Sequence, residues 1–333
     1  MSEKRKYVRY VTKEKLDKVC RENKVHIRKY FNSKNMNLSK DTKDAYQADF
    51  NQFLVFLHER YSEGDIYEED IIKLLNGENG IDEMVDVIEH FLSFCVNELQ
   101  NKERRMQRRM SSLSSFFLHL MKRRQIKTNP MDYLERIRIK VGEKPQVKKT
   151  FLTESQVNKI RRGLRRDNDL RLECFFEVAL STMARVKALS NITISQINFK
   201  TGRIEEVLEK EGYIVNLFPS ERAMKAIEKW LKYREEQGIE SEYLFITKYN
   251  KQWGKARKNT IQSVWIKKIG QYIDEDLHPH DLRRSGADLL YKRGMKLEEV
   301  SSLLNHSGTD VTRNHYLQED YDKLQDNKKK FEI

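Results

Sequence analysis

A chain of 333 residues with 38% hydrophobic content is long for one core and has apolar material for two, since single cores stop growing at roughly 250 to 300 residues. A formal net charge of +13 and a mean hydropathy of −0.80 exclude a membrane span of about 20 apolar residues and point to a polyanionic partner. Nucleic acid fits better than lipid, because the basic residues do not sit on one amphipathic segment with a Trp-rich opposite face. Cys20, Cys95 and Cys174 are odd in number and lack CxxC spacing, which argues against a disulfide framework or a structural zinc and makes them core thiols.

The N-terminal MSEKRKYVRYVTKEK is basic but has no apolar run behind it, so a secretory signal is not expected and the chain is placed in the cytoplasm. Residues 1–36 read as a basic extension, either a DNA-contacting arm or a packed helical addition. In LSKDTKDAYQADFNQFLVFLHERY, Tyr46, Phe50, Phe53, Leu54 and Leu57 recur at helical spacing with Ser39 as the N-cap, which predicts an amphipathic helix. DEMVDVIEHFLSFCVNELQ predicts a second, and ERRMQRRMSSLSSFFLHLMKRRQ a third, with Met106, Met110, Leu113, Phe117 and Leu120 as its buried stripe.

The other face of the third helix carries Arg104 with Arg108 and Arg105 with Arg109 as like-charge i, i+4 pairs, each costing about 0.2 to 0.5 kcal/mol unless an anion offsets it. A merely solvated basic face is one reading. Contact with a phosphate backbone is the other, and Lys122, Arg123 and Arg124 continue the run. RIKVGEKPQVKKT loses the apolar period and contains Gly142 and Pro145, the composition of a linker. The expected organisation is therefore a helical DNA-binding domain over 37–140, a linker over 141–150 whose end carries Lys148 and Lys149 as DNA contacts, and a second domain over 151–333.

That domain opens with a helix capped by Thr153, and LRLECFFEVALSTMARVKALSNI reads as a longer, strongly apolar one. Its one β signal is INFKTGRIEEVLEKEGYIVNLFP, with turns at Thr201-Gly202 and at Lys210-Glu211-Gly212. This predicts a small antiparallel sheet with Lys210 at a hairpin tip, and a fold class that is mainly α. A Walker lysine loop, a GxGxxG after a strand, HExxH and a two-magnesium carboxylate cluster are all missing from the sequence, which lowers the case for ATP-driven or metal-dependent nuclease chemistry.

What remains is a set of cations and one tyrosine: Arg185 in STMARVKAL, His280 and Arg283 in HPHDLRRSG, and His306 and Tyr316 in LLNHSGTDVTRNHY. In motif and order the chain resembles the tyrosine recombinase (phage integrase) superfamily over roughly residues 37–333. The resemblance implies a helical core-binding domain and a mixed α/β catalytic domain that close as a clamp on duplex DNA. Tyr316 would attack a phosphodiester and form a 3′-phosphotyrosyl link without ATP, metal or other cofactor. Arg185 and Arg283 would bind the non-bridging oxygens, His280 and His306 would orient the phosphate and assist proton transfer, and Lys210 would act as general acid. It also implies self-association as a dimer or tetramer on DNA and an accessory DNA-bending or directionality protein.

The chain departs from the common pattern at several points. Met183 stands where glycine is usual, Ala188 where an acidic residue is usual, Arg284 where histidine is frequent, Asn305 where glycine precedes His306, and EKEG where Gly-Lys-Gly is usual. The first expectation is an active recombinase of a temperate phage or integrative element. The alternative is a DNA-binding regulator that keeps the fold and no longer uses the tyrosine.

Overall fold

The computed structural model describes residues 10–34, 38–61, 69–135, 150–209, 212–305, 309–317 and 328–329. The chain divides into two compact units, Met1–Pro145 and Gln146–Ile333.

The first unit is helical: α1 Lys13–Lys18, α2 Arg21–Ser33, α3 Lys40–Tyr61, α4 Ile71–Leu75, α5 Gly80–Asn97 and α6 Glu103–Lys122, followed by a 3-10 turn at Pro130–Tyr133. Ser39 Oγ accepts from the Thr42 amide at 3.2 Å, which satisfies one of the free donors at the start of α3. Phe50, Phe53, Leu54 and Leu57 of α3 interlock with Phe91 of α5 and Leu113, Phe116 and Phe117 of α6 in one core. Residues from the extension belong to it too, since Val19, Ile27 and Tyr30 are buried there and Tyr30 Oη hydrogen-bonds Ser115 Oγ at 2.8 Å.

The second unit begins with α7 Glu154–Arg166, started by a capping box between Thr153 and Gln156. It packs on α8 Leu170–Thr182 through a two-point pair of Arg161 with the buried Glu177, at 2.6 and 2.8 Å. The apolar run predicted as one long helix is two. Met183 adopts φ 53°, ψ 22° and ends α8, Arg185 is extended at φ −65°, ψ 145°, and α9 Val186–Asn191 begins after it. A residue with a Cβ in the left-handed region costs roughly 1 kcal/mol or more, and the complete burial of the Met183 side chain in a cluster with Ala287, Val300, Leu304 and Tyr316 offsets that cost.

Strands β1 Ile197–Asn198, β2 Arg203–Leu208 and β3 Ile214–Leu217 form an antiparallel sheet in that order. Its β2–β3 register slips between Ile204 and Val207, where Glu206 takes φ 56°. After α10 Glu221–Glu236 comes a second hairpin that the sequence reading lacked, β4 Ile246–Tyr249 with β5 Gln252–Lys255. It turns through Asn250 and Lys251 at φ 47° and 65°, a two-residue turn made without glycine. The chain then runs through α11 Lys258–Thr260, a π-helical turn Ile261–Trp265 and α12 Ile266–Gln271 to α13 Pro279–Lys292, α14 Leu297–Leu303 and α15 Thr309–Tyr316.

Helix α13 crosses α8 at Gly286, where an added Cβ would lie 2.2 Å from the Leu180 carbonyl oxygen and 2.7 Å from Met183 Cγ. Backbone cannot yield as a side-chain tip can. Gly286→Ala is therefore expected to destabilise the second unit by about 1 to 3 kcal/mol, read as a lower denaturation midpoint with an unchanged m-value. An unaltered midpoint would mean that the two helices can slide apart at little cost.

The mainly helical fold class with small antiparallel sheets is thus the observed one. Lys210, His306, Lys148 and Lys149 lie outside the described residues, as does most of the expected linker.

Candidate active site

The helix break at Met183 builds the site in two ways. It frees the Met183 carbonyl to accept from Arg283 Nη1 at 2.6 Å, and it leaves Arg185 as the extended residue ahead of α9 rather than inside a helix. Arg283 rises from the first turns of α13 and is 2% exposed. Its Nη2 donates to the Leu304 carbonyl at 2.6 Å, so one guanidinium joins the ends of α8 and α14.

Tyr316, at the end of α15, is 9% exposed. The Arg283 guanidinium carbon lies 5.4 Å from its ring centroid, and a side-chain hydrogen bond links the two residues. Burial pulls the Arg283 pKa below the usual arginine value and Arg185 adds to that, while Tyr316 and Glu209 oppose it. Arg185 donates from Nη1 to Glu209 Oε2, and its side chain keeps 31% of its surface exposed.

His280 stands one turn before Arg283 on the exposed side of α13. The turn that presents it is held by Asp281, which accepts from the His278 amide at 2.8 Å and pairs with Arg284 at 2.8 Å. Desolvation by the surrounding protein lowers the His280 pKa from 6.5, helped by Arg283, Arg284 and Arg185 and opposed by Asp281. The neutral ring is thus favoured in the fold, and the stability this gives is present above the unfolded value and lost as pH falls through the folded one. A phosphate among these cations would reverse their sign of influence. The His280 resonance, followed by NMR, is expected to titrate below the ordinary histidine value in the free protein and to move upward when duplex DNA is added. A midpoint unmoved by DNA would place the phosphate elsewhere.

Arg185, His280, Arg283 and Tyr316 are therefore brought into one electrostatic neighbourhood. Glu209, which the sequence reading did not single out, belongs to it as well. Ala188, at the position of the usual acid, is fully buried in α9.

The basic face of α6 is divided. Arg104 is exposed, as are Arg123 and Arg124 beyond the helix end, while Arg105 is half-buried. Arg108 is engaged by Asp49, with Nε to Oδ2 at 2.9 Å and Nη2 to Oδ1 at 2.7 Å. Arg109 corrects the expectation of a DNA contact: it is 0% exposed, donates to Gln52 Oε1 and Cys95 Sγ, and lies 3.6 Å from Asp49. The anion that relieves the like-charge pairs is thus an internal carboxylate from α3. Burial holds the Arg109 pKa below the usual arginine value and raises the Cys95 thiol to about 11. Among the described residues no group of three or more His, Cys, Asp or Glu side chains is placed to hold a metal ion, and no described helix is long and apolar enough to cross a membrane.

The sequence pattern of the phage integrase family matches residues 150–323, just over half of the chain. A tyrosine recombinase of Thermosipho africanus is 24% identical over 280 residues, covering 82% of this chain and 87% of that protein. Tyrosine recombinase XerC of Caldanaerobacter subterraneus subsp. tengcongensis is 26% identical over 284 residues, covering 83% and 77%. Among solved structures, XerH site-specific recombinase bound to a palindromic difH substrate in a post-cleavage complex aligns with TM-score 0.66 at 16% identity, over 94% of this chain and 85% of that one. A lambda integrase (75–356) dimer bound to a COC′ core site aligns with TM-score 0.61 at 17% identity, over 90% and 95%.

Proposed function

The chain belongs to the phage integrase family, and on that premise we propose that it is a site-specific DNA recombinase of a mobile element or temperate phage, working through a 3′-phosphotyrosyl intermediate. The observation that carries this reading is the meeting of Arg283 with Tyr316 beside Arg185, from three separate helical elements of one polypeptide.

In this reading Tyr316 Oη attacks the scissile phosphorus, forming one O–P bond as the P–O5′ bond breaks. The tyrosine proton passes to a base, for which the neutral His280 is suited, and the departing 5′ oxygen takes a proton from Lys210. Arg185 and Arg283 carry the charge that builds on the non-bridging oxygens. His306 assists by the same family resemblance. One phosphoester is exchanged for another, so rejoining is the same step run backward and needs no nucleotide as an energy source.

Duplex DNA is the proposed partner, bound by copies of this chain acting together as a dimer or tetramer, with an accessory DNA-bending or directionality protein as a further partner. The dimeric, DNA-bound state of the lambda integrase neighbour supports this assembly. Arg104, Arg123 and Arg124 are the proposed phosphate contacts of the helical unit. Replacing Arg123 and Arg124 by alanine is expected to shallow the log–log salt slope of binding by about 0.9 for each lost contact, measured from roughly 50 to 200 mM salt. Arg109→Ala should instead destabilise the unit, because it leaves the buried Gln52 Oε1 without its donor and opens a cavity in place of a fully buried side chain. A salt-independent wild type would remove duplex DNA from the reading.

The direct test incubates DNA from the ends and flanks of the encoding element with wild-type protein and with Tyr316→Phe, then separates the products on a denaturing gel. An adduct with wild type alone supports the recombinase. Tight binding by both without an adduct, even on nicked DNA that traps the intermediate, assigns a regulator.

A further inference from the structure

Glu209 is buried at 4% exposure beside a site that must receive an anion, which is an unexpected place for a carboxylate. The bulge in β2 puts it there. From the buried Ile204, strict alternation would send Glu206 and Leu208 inward and Glu209 to solvent. With the extra residue at Glu206, Val207 and Glu209 face inward and Leu208 is 47% exposed. The backbone then holds the position: the Glu209 amide donates to the Tyr213 carbonyl at 2.8 Å, closing the hairpin, and Asn191 of α9 donates to the Leu208 carbonyl at 2.9 Å.

We infer that Glu209 is a positioning residue for Arg185, holding its guanidinium through Nη1 so that the remaining N–H groups face a bound DNA phosphate. Three observations carry this. The carboxylate sits on the buried side of the pair, at 5% side-chain exposure against 31% for Arg185, so it backs the guanidinium rather than capping its open side. It contacts a single guanidinium nitrogen by hydrogen bond, leaving the others for a planar two-point grip on an anion. And α9 itself supplies no carboxylate toward Arg185, since residue 188 is a buried alanine. Glu209 Oε1, buried and without a hydrogen-bond partner among the described residues, has capacity for one further donor when substrate closes the site.

The inference rests on the recombinase reading, and the experiment separates their failures. Single-turnover adduct formation on a nicked duplex would be measured at saturating protein for wild type, Glu209→Gln and Glu209→Asp, alongside DNA affinity and Tm. Expected is a rate for Glu209→Gln lower by on the order of 10- to 100-fold, with affinity and Tm within twofold and about 2 °C of wild type, and partial recovery in Glu209→Asp, which keeps the charge. A wild-type rate in Glu209→Gln overturns the inference alone. A faster rate also overturns it, because the carboxylate would then compete with phosphate for Arg185. Parallel loss of rate, affinity and Tm, with no recovery in Glu209→Asp, reduces Glu209 to a structural part. Absence of an adduct with wild type overturns both the reading and the inference.

Discussion

Tyr316→Phe is expected to bind duplex DNA as tightly as wild type and to form no covalent adduct, a loss limited only by the sensitivity of the gel. The substitution removes one oxygen and leaves a ring of the same shape. That ring can keep its packing against Met183, Ala287, Val300 and Leu304 and its place beside the Arg283 guanidinium. The hydrogen bond between Tyr316 and Arg283 disappears, which should cost about 1.5 to 3 kcal/mol for a bond to a charged group. Folding and binding are therefore expected to survive while the proposed nucleophile is gone. An adduct that persists in the variant would move the nucleophile to another residue and remove Tyr316 from the mechanism.

Arg283→Ala should fail in both respects. It strands the Met183 and Leu304 carbonyls that the guanidinium now satisfies at 2.6 Å each and opens a cavity where a 2% exposed side chain stood. Each stranded acceptor costs about 1 to 3 kcal/mol, so a loss of about 3 to 5 kcal/mol is expected, with Tm lower by roughly 10 °C or more. Adduct formation should fall by at least about 100-fold, as for other fixed donors that stabilise developing charge. Arg283→Lys is the companion measurement, because one ammonium can satisfy a carbonyl but cannot span both and still grip phosphate at two points. If its Tm recovers more than its rate, the two tasks of the residue are separated. Wild-type stability in Arg283→Ala would show that α8 and α14 hold together without it.

Features that depend on nearby residues were legible in the sequence. The apolar stripe of α6, the Ser39 and Thr153 caps, the first hairpin and the mainly helical class all follow from periodicity and side-chain chemistry within a few positions. What escaped depended on distant partners or on backbone states without a local signature. The break before Arg185 turns on Met183 adopting a conformation usually left to glycine, stabilised by partners more than 100 residues away in sequence. Arg109 looked like a surface cation because Asp49 and Gln52 come from another helix. Glu209 was hidden by the bulge, since a single extra residue reverses which side chains face inward. The second hairpin lacked the glycine that marks such turns, although Ile246, Tyr249 and Trp253 around Asn250 carried a weak strand pattern.

The double attachment of Arg283 to the carbonyls of Met183 and Leu304 also bears on how such a chain evolves. A residue that ties two helix ends together and, as proposed, also stabilises a transition state is under selection twice. If a lineage stopped cutting DNA but still needed the fold to bind it, purifying selection on stability alone would retain this arginine for as long as the protein had to stay folded. Its survival in a descendant is therefore a record of foldedness. The hydroxyl of Tyr316 is tied to the fold by far less, so among relatives that have turned from cutting to binding it is the atom that should be lost first.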